Sequence, residues 1–456
     1  MSDGQFVHLH LHTHYSLLDG ATRIGDLITR VKQLDMPAVA ITDHGNMFGA
    51  AEFYRAAVAA GVKPIIGCET YMAPGDRRAK DARGMKEASH HLLLLAMNNV
   101  GYKNLLKLAS IAYREGFYYR PRIDKEVLAE LNEGLLCTST CLGGEIPQAL
   151  MNRDRAAAEE IAKTYLKIFG PDRFFVELQD HGLEEQKTIN PELVDMADRL
   201  GVATIATNDV HYLEAGDVEA HDVLCCISTG KLVSDQDRFK FPNGEFYLKT
   251  PAEMAELFAD YPDALANTLR VADLCEVELD FSTRHAPVYK VEASTTPEAE
   301  LRRLVYEGAE RRYDEITDQI RERIDYELEV ISSKGFSSYF LIVWDFVRFA
   351  RTEGIPCSAR GSACSSVVAY CLDISAPDPL RYGLYFERFM DPDRDEMPDI
   401  DADICQNGRG RVIEYVRQKY GYVAQIITFN TLKARAAVKD VGRVMGMGFD
   451  DANRLT

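Results

Sequence analysis

The sequence predicts an α/β chain: a β/α barrel over residues 1–284, a mixed α+β region over 285–430 and a helical end over 431–456. Three observations carry this. Short apolar, β-branched runs alternate with stretches of helical period as far as residue 210, the pattern of repeated β-α units and a parallel sheet. Histidine, carboxylate and cysteine side chains recur where those runs end, which is where a β/α barrel keeps its functional residues. After residue 250 the alternation gives way to long helical patterns, then a glycine-serine loop and an acidic strand.

FVHLHLH is the first expected strand, with IGDLITRVKQLD the helix behind it. PAVAIT and GAAEFYRAAVAAG repeat the unit. KPIIGCETYM and HLLLLAM follow as strands, and YKNLLKLASIAYREG as a helix. GLLCTST, RFFVELQ and VATIATN complete the strand series, with AAAEEIAKTYLKIFG and PELVDMADRLG as helices between them. So many units in so short a span predict a closed barrel. PAEMAELFADYPDALANTLRVADLCEV reads as helix-rich. FSTRHAPVYKVEASTTPEAE, with two prolines and no period, marks a domain boundary, and His285 within it reads as an ordinary boundary residue. LRRLVYEGAERRYDEITDQIRERIDYELEVISSKG is expected as one long helical stretch whose charges form a solvated face. SSYFLIVWDFVRFARTEG and ARAAVKDVGRVMGM are helical, and nothing after the latter reads as a closing element, the expectation for a piece of a larger protein.

Composition bounds the function. The chain is 46% hydrophobic and 27% charged, an ordinary globular balance. Its net charge of −19 argues against a generic basic nucleic-acid coat, though bound divalent cations reverse the sign locally. MSDGQFVH has no apolar signal core, and no run reaches the ~18 apolar residues of a spanning helix. Ten scattered cysteines without a disulfide framework point to a reducing, cytoplasmic compartment.

His8, His10, His12 and His14 alternate along the first strand, which places four imidazoles on one face. Candidate ligands recur at later strand ends: Asp43 and His44 in ITDHGN, Glu69 in GCE, Cys141 in TSTC, and Asp209 and His211 in NDVH, with Asp19 in the first loop. His91 fits less well, because it precedes its strand. Mixed histidine, carboxylate and a single cysteine suit zinc, manganese or iron better than calcium, and a carboxylate such as Glu69 can bridge two ions. Clustered ions of this kind serve phosphoryl chemistry. Cys137 reads as core, and His181 and His221 as ordinary polar residues.

HLHLHTHYSLLDG, ITDHGN, GCE, HLLLLA, the cysteine of TSTC and NDVH resemble the polymerase and histidinol phosphatase (PHP) domain, in the version found in bacterial replicative DNA polymerases of family C. The resemblance implies a distorted β/α barrel and up to three metal ions, zinc or manganese. His10, His12, Glu69 and Asp209 would hold one; Glu69, His91 and Cys141 a second; Asp19, His44 and His211 a third. No position of this ligand set is replaced, which implies a metal-dependent 3′–5′ exonuclease or at least a phosphoesterase. His8, His14, His90 and Asp43 lie outside the matched pattern.

In an extended PDIDADI, Asp399, Asp401 and Asp403 share one face and Ile400, Ala402 and Ile404 the buried one. Alternating carboxylates hold magnesium for phosphoryl transfer, and the backbone of a turn such as SARGSACSS cradles phosphates. RGSACSS, FERFMDP and MPDIDADIC, in this order, resemble the palm of family C polymerases, a mixed α+β fold of nucleotidyltransferase type, here partial. The resemblance implies Asp401 and Asp403 as two catalytic carboxylates, and Arg360, Gly361, Ser362 and Arg388 as contacts for an incoming dNTP. TFNTLKARAAVKDVGRVMG resembles the start of the thumb. The implied partners are primer-template DNA, dNTPs, a sliding clamp, a clamp loader and a separate exonuclease subunit, with no membrane. Without the family's third carboxylate and fingers, these 456 residues are expected to incorporate no nucleotide. Two rival readings stay open: a stand-alone metallophosphoesterase acting on a small ester, and a metal-stiffened scaffold for a separate proofreading subunit.

Overall fold

The computed structural model describes residues 5–283, 287–394 and 397–456. They form two compact units, Met1–Asp280 with Thr431–Thr456, and Phe281–Asn430. The expected boundary at 284/285, and His285 with it, lies outside the described residues.

The first unit is built on seven strands: β1 (Ala38–Ile41), β2 (Lys63–Met72), β3 (His90–Ala96), β4 (Arg122–Ile123), β5 (Leu135–Thr138), β6 (Phe174–Gln179) and β7 (Thr204–Thr207). Their order is β1-β2-β3-β5-β6-β7, with β4 paired to β2. Helices cover one face. The helix Ile24–Gln33, for instance, buries Ile24, Leu27, Ile28 and Val31, a stripe at helical period, against that face. The other face curls inward. Ala38, Ala40, Ile65, Leu95, Leu136, Phe175 and Ile205, alternate residues of six strands, form a second cluster with Val7, Leu9 and the helix Pro262–Leu274, which plugs this end. Further along the same face the residues turn polar: Thr42, Glu69, Thr138, Glu177, Thr207.

Two strand expectations need correction. Residues 6–12 form no regular strand: the chain bends at His10, and only Leu11 makes an isolated bridge, to Val210. His8 and Leu11 carbonyls accept from Ala40 and Thr42 on one side, while Val210 N–H donates to His10 O and His12 N–H to Val210 O on the other. The segment thus spans the two edges of the curl by scattered bonds, so the barrel is closed only in this distorted way. The sheet is also not all parallel: β3 runs antiparallel to both β2 and β5. The two-residue β4 had no legible signal.

Among the helices, Glu184–Leu200 starts well before Pro191, where the sequence placed its first turn. The stretch after residue 300 is not one helix. Pro297–Arg312 ends and Asp318–Ser333 begins afresh behind Thr317, whose side chain accepts from Ile320 N–H.

The second unit packs Pro297–Arg312, Asp318–Ser333, Ser337–Thr352 and Gln406–Tyr420 around its own apolar core, from Leu301 to Val412. A small antiparallel pair, β8 (Cys357–Ala359) with β9 (Ala402–Ile404), lies at its surface. The helix Ala434–Val444 packs within the first unit, where Val233 N–H donates to Val444 O.

Candidate metal centre

All nine residues of the predicted ligand set meet at the polar end of the curl. His10 Nε2 and His12 Nε2 each lie 3.2 Å from Asp209 Oδ1, and 3.4 Å from Glu69 Oε1 and Oε2 respectively. His44 Nδ1 is 2.9 Å from Glu69 Oε2, and its Nε2 is 3.6 Å from Asp19 Oδ1. His91 Nδ1 lies 2.9 Å from Glu69 Oε1, and Cys141 Sγ is 3.4 Å from that oxygen and 3.5 Å from His91 Nδ1. His12 stacks between His44 and His211, at centroid separations of 4.0 and 4.3 Å. The ring nitrogens of His12, His44 and His211 approach within 4.8 Å of one another.

The donor chemistry fits cations. Six buried atoms here have no hydrogen-bond partner outside the cluster itself: His10 Nε2, His12 Nε2, Asp19 Oδ1, His44 Nδ1, Glu69 Oε2 and Asp209 Oδ1. Buried polar atoms left unpaired are costly, so such a convergence calls for a shared partner. Ligands held about 2.1 Å from one ion in a tetrahedron sit about 3.4 Å apart, which is the spacing seen around His10, His12, Glu69 and Asp209. Charge leads to the same place. Burial would raise the Asp209 carboxyl, but the His10, His211 and His12 imidazoles hold it far below the ordinary range. Burial likewise opposes ionisation of Glu69, and His91, His10 and His44 overcome it. Burial, with the Glu69 and Asp209 carboxylates, pushes the Cys141 thiol well up, so a thiolate there requires a neighbouring cation.

A second layer orients these groups. Glu177, in the middle of β6, takes His10 Nδ1 at 2.7 Å, which leaves Nε2 as the free lone pair. Glu177 is itself held by Thr138, by Thr207 at 2.6 Å and by Gln179 at 2.9 Å. His12 Nδ1 meets Ser16 Oγ at 3.0 Å, and that hydroxyl donates to Asp43 at 2.7 Å. Asp43 also accepts from Thr13 N–H and Oγ1–H, so it is a support and not part of the cluster. His211 Nδ1 lies 2.8 Å from Asp209 O, and His221 Nε2 lies 2.7 Å from Asp19 O. Thr140 and Asp209 both carry positive φ, of 57° and 43°. For side-chain-bearing residues this costs about 1 kcal/mol or more each, a strain that collects at functional sites.

The other histidines stand apart. His8 Nε2 lies against Lys249 O at 2.9 Å, His14 lies beside Tyr15 with the two rings tilted by 34°, and His181 is held by Asn208 O and Gln186. Cys137 is core. The sequence reading missed Glu177, Ser16 and Gln179. The available signal for Glu177 was a carboxylate inside the otherwise apolar FFVEL.

In the second unit the register pairs Ser358 with Asp403 and Ala359 with Ala402. Arg360 N–H donates to Asp401 O at 2.8 Å, and the Arg360 guanidinium meets the Asp403 carboxylate. Gly361 has φ +64°, and a Cβ there would lie 3.7 Å from Asp401 Oδ2. Asp399, Asp401 and Asp403 are exposed while Ile400 is buried, the alternation the sequence predicted. Arg388 is exposed on the turn Phe386–Arg388, which packs against the turn Gly361–Ser365, and among the described residues it pairs with neither Asp401 nor Asp403.

The PHP domain family matches residues 8–181, and the family described as the bacterial DNA polymerase III alpha NTPase domain matches residues 299–456. The DNA polymerase III subunit alpha of Borreliella burgdorferi is 50% identical over 459 residues, covering 99% of this chain and 40% of that protein. That of Treponema pallidum is 47% identical over 460 residues, covering 100% and 39%. That of Thermus aquaticus is 42% identical over 519 residues, covering 99% and 42%. The chain thus spans about two fifths of the length of the curated relatives it matches. A solved amidohydrolase structure from Chromobacterium violaceum overlays 45% of this chain and 87% of its own at 14% identity, with a TM-score of 0.31, a likeness too loose to bear on the argument. With both domains matched in order and identities of 38–50% along nearly its whole length, the chain belongs to the bacterial DNA polymerase III alpha subunit family.

Proposed function

We propose that the first unit is a metal-dependent 3′–5′ exonuclease and that the second contributes part of a template-directed DNA polymerase. The observation that carries the nuclease reading is the convergence, at ligand spacing, of six buried ligand-type atoms with no partner outside the cluster. His10, His12, Glu69 and Asp209 would hold one ion, Glu69, His91 and Cys141 a second, and Asp19, His44 and His211 a third; the mixed donors favour zinc or manganese. Ions so bound supply a water of lowered pKa and neutralise charge on a phosphoryl group. The chain's own residues prepare the site. Glu177 fixes the His10 tautomer, Ser16 and Asp43 fix that of His12, and Glu69 presents one oxygen to each side of the cluster.

In the second unit, Asp401 and Asp403 are proposed as magnesium-holding carboxylates, with Arg360, Gly361, Ser362 and Arg388 toward the triphosphate of a dNTP. Residues 1–284, 285–430 and 431–456 then correspond to the nuclease domain, the palm and the start of the thumb. A cytoplasmic replicase supplies primer-template DNA, a sliding clamp, a clamp loader and a separate exonuclease subunit as partners.

The test is release of mononucleotides from a 3′-labelled single strand with added manganese or zinc. Release from the wild-type chain that disappears in His12→Ala supports the nuclease. No release, with the ions still found by elemental analysis, replaces it with the scaffold reading.

A further inference from the structure

Two adjoining cavities meet at the candidate centre and share Tyr71 and Arg120. One, of about 400 Å³, is lined by Asp19 and His44 and also by Tyr113, Phe117 and Tyr119. The other, of about 360 Å³, is lined by His91. The three rings and Arg120 come from one stretch, residues 113–122, YREGFYYRPR. In a chain of net charge −19 this stretch interleaves aromatic rings with arginines. Tyr113, Phe117 and Tyr119 are 45%, 50% and 48% exposed, an unusual display for large rings beside a polar centre.

The stretch is held rigidly. Arg122 is buried, and its guanidinium donates to the carbonyls of Gly116, Ala88, Arg77 and Ala79 at 3.0, 3.0, 2.9 and 2.6 Å. A Cβ at Gly116 would lie 1.9 Å from Arg122 O, so only glycine permits this closure. Tyr119 has φ 61°, a left-handed conformation that a bulky residue adopts only when its surroundings impose it. Arg120 has no ion pair among the described residues, and its guanidinium lies 5.4 Å from the Tyr71 ring. The surface therefore pairs preset rings with an unneutralised cation, next to grouped histidines and carboxylates.

We propose that residues 113–122 are a track for single-stranded DNA that leads a 3′ end to the centre, with Phe117 and Tyr119 stacking on bases and Arg120 holding a backbone phosphate. This rests on the nuclease reading. A small phosphate ester has no bases to occupy a row of rings, whereas successive bases of a strand stack on such rings whatever their sequence.

The test is fluorescence anisotropy of a 5′-labelled oligothymidylate with phosphorothioate linkages, bound by the whole chain with manganese present. Phe117→Ala/Tyr119→Ala is expected to weaken binding about tenfold or more. Phe117→Leu/Tyr119→Leu, which keeps apolar bulk but no ring face, should weaken it similarly. Arg120→Ala should weaken it and lower the salt dependence by about one phosphate contact. Melting curves matching wild type exclude unfolding as the cause. Unchanged binding in the three variants, wild-type binding in the leucine pair, or no binding by the wild-type chain overturns the track. Weakened binding with no nucleotide released from an unmodified strand retains the track and sinks the nuclease reading instead.

Discussion

Glu177 shows how much a single side chain behind the cluster decides. Its carboxylate is fully buried, takes the His10 Nδ1 proton and is gripped by two threonines and a glutamine. Glu177→Gln keeps the volume but removes the charge that makes His10 Nε2 a strong donor. Such outer partners are worth about 10–100-fold in metal affinity. Competition with a chelator should show a loss of that size in Glu177→Gln, and equal metal retention would refute the supporting role. His8 gives a pH prediction. Burial lowers its pKa from 6.5 to about 4, so the folded chain keeps it neutral while the unfolded chain protonates it below 6.5. Its contribution is therefore intact above 6.5 and is lost as pH falls toward 4, to the extent of about 3 kcal/mol. His8→Gln retains a donor toward Lys249 O and does not titrate. In chelator-treated samples its stability should fall less between pH 6.5 and 4 than that of wild type, and parallel curves would exclude His8 as the source.

At the scale of elements, close approach overrides propensity. Gly308 lies inside the helix Pro297–Arg312, where alanine would gain about 1 kcal/mol by propensity alone. A Cβ there, however, would sit 1.9 Å from the Cys371 carbonyl oxygen, at a backbone that cannot swing aside as a side chain can. Overpacking of this kind costs about 1–3 kcal/mol or more. Gly308→Ala should thus lower the denaturation midpoint, and a rise would mean that the short helix Val367–Cys371, which carries this carbonyl, moves away readily. The direction of β3 is decided at this scale too. Because β3 runs antiparallel to its neighbours, its N-terminal end lies beside the C-terminal half of β2, and Tyr71 pairs with His91. The misfit of His91 in the sequence, a candidate ligand before its strand, is what strand reversal looks like when every strand is assumed parallel.

For the whole molecule, two units that share no apolar core predict two separable responses to metal. The clusters of three histidine and glutamate ligands close enough to hold one ion lie, among the described residues, in the first unit. Among the described residues, buried Glu69, Glu177 and Asp209 pair with imidazoles and with no lysine or arginine, so chelation should lower the first unit's melting temperature by roughly 10 °C. A transition of the second unit, whose core runs from Leu301 to Val412, should stay in place. Calorimetry with and without chelator separates them, and an unshifted thermogram would mean that no ion stabilises the fold.

The sequence alone determined the β/α alternation, six strands of the large sheet, and a candidate ligand set whose nine members the fold brings together. Alternation at period two and ligand chemistry at strand ends are local properties, written residue by residue. What it left open depended on which strand lies beside which. By spacing alone the four histidines are equivalent; the family resemblance singled out His10 and His12, and the fold turns these two to Glu69 and Asp209 while His8 turns to Lys249. Glu177 read as one acid in an apolar strand until β5 and β7 brought Thr138 and Thr207 against it. The first segment read as a strand, but its partners come from two different edges, out of register with a regular ladder. Strand direction, the sharing of buried charge and the closure of the curl are set by contacts between residues tens to hundreds of positions apart, and only the tertiary structure decides those.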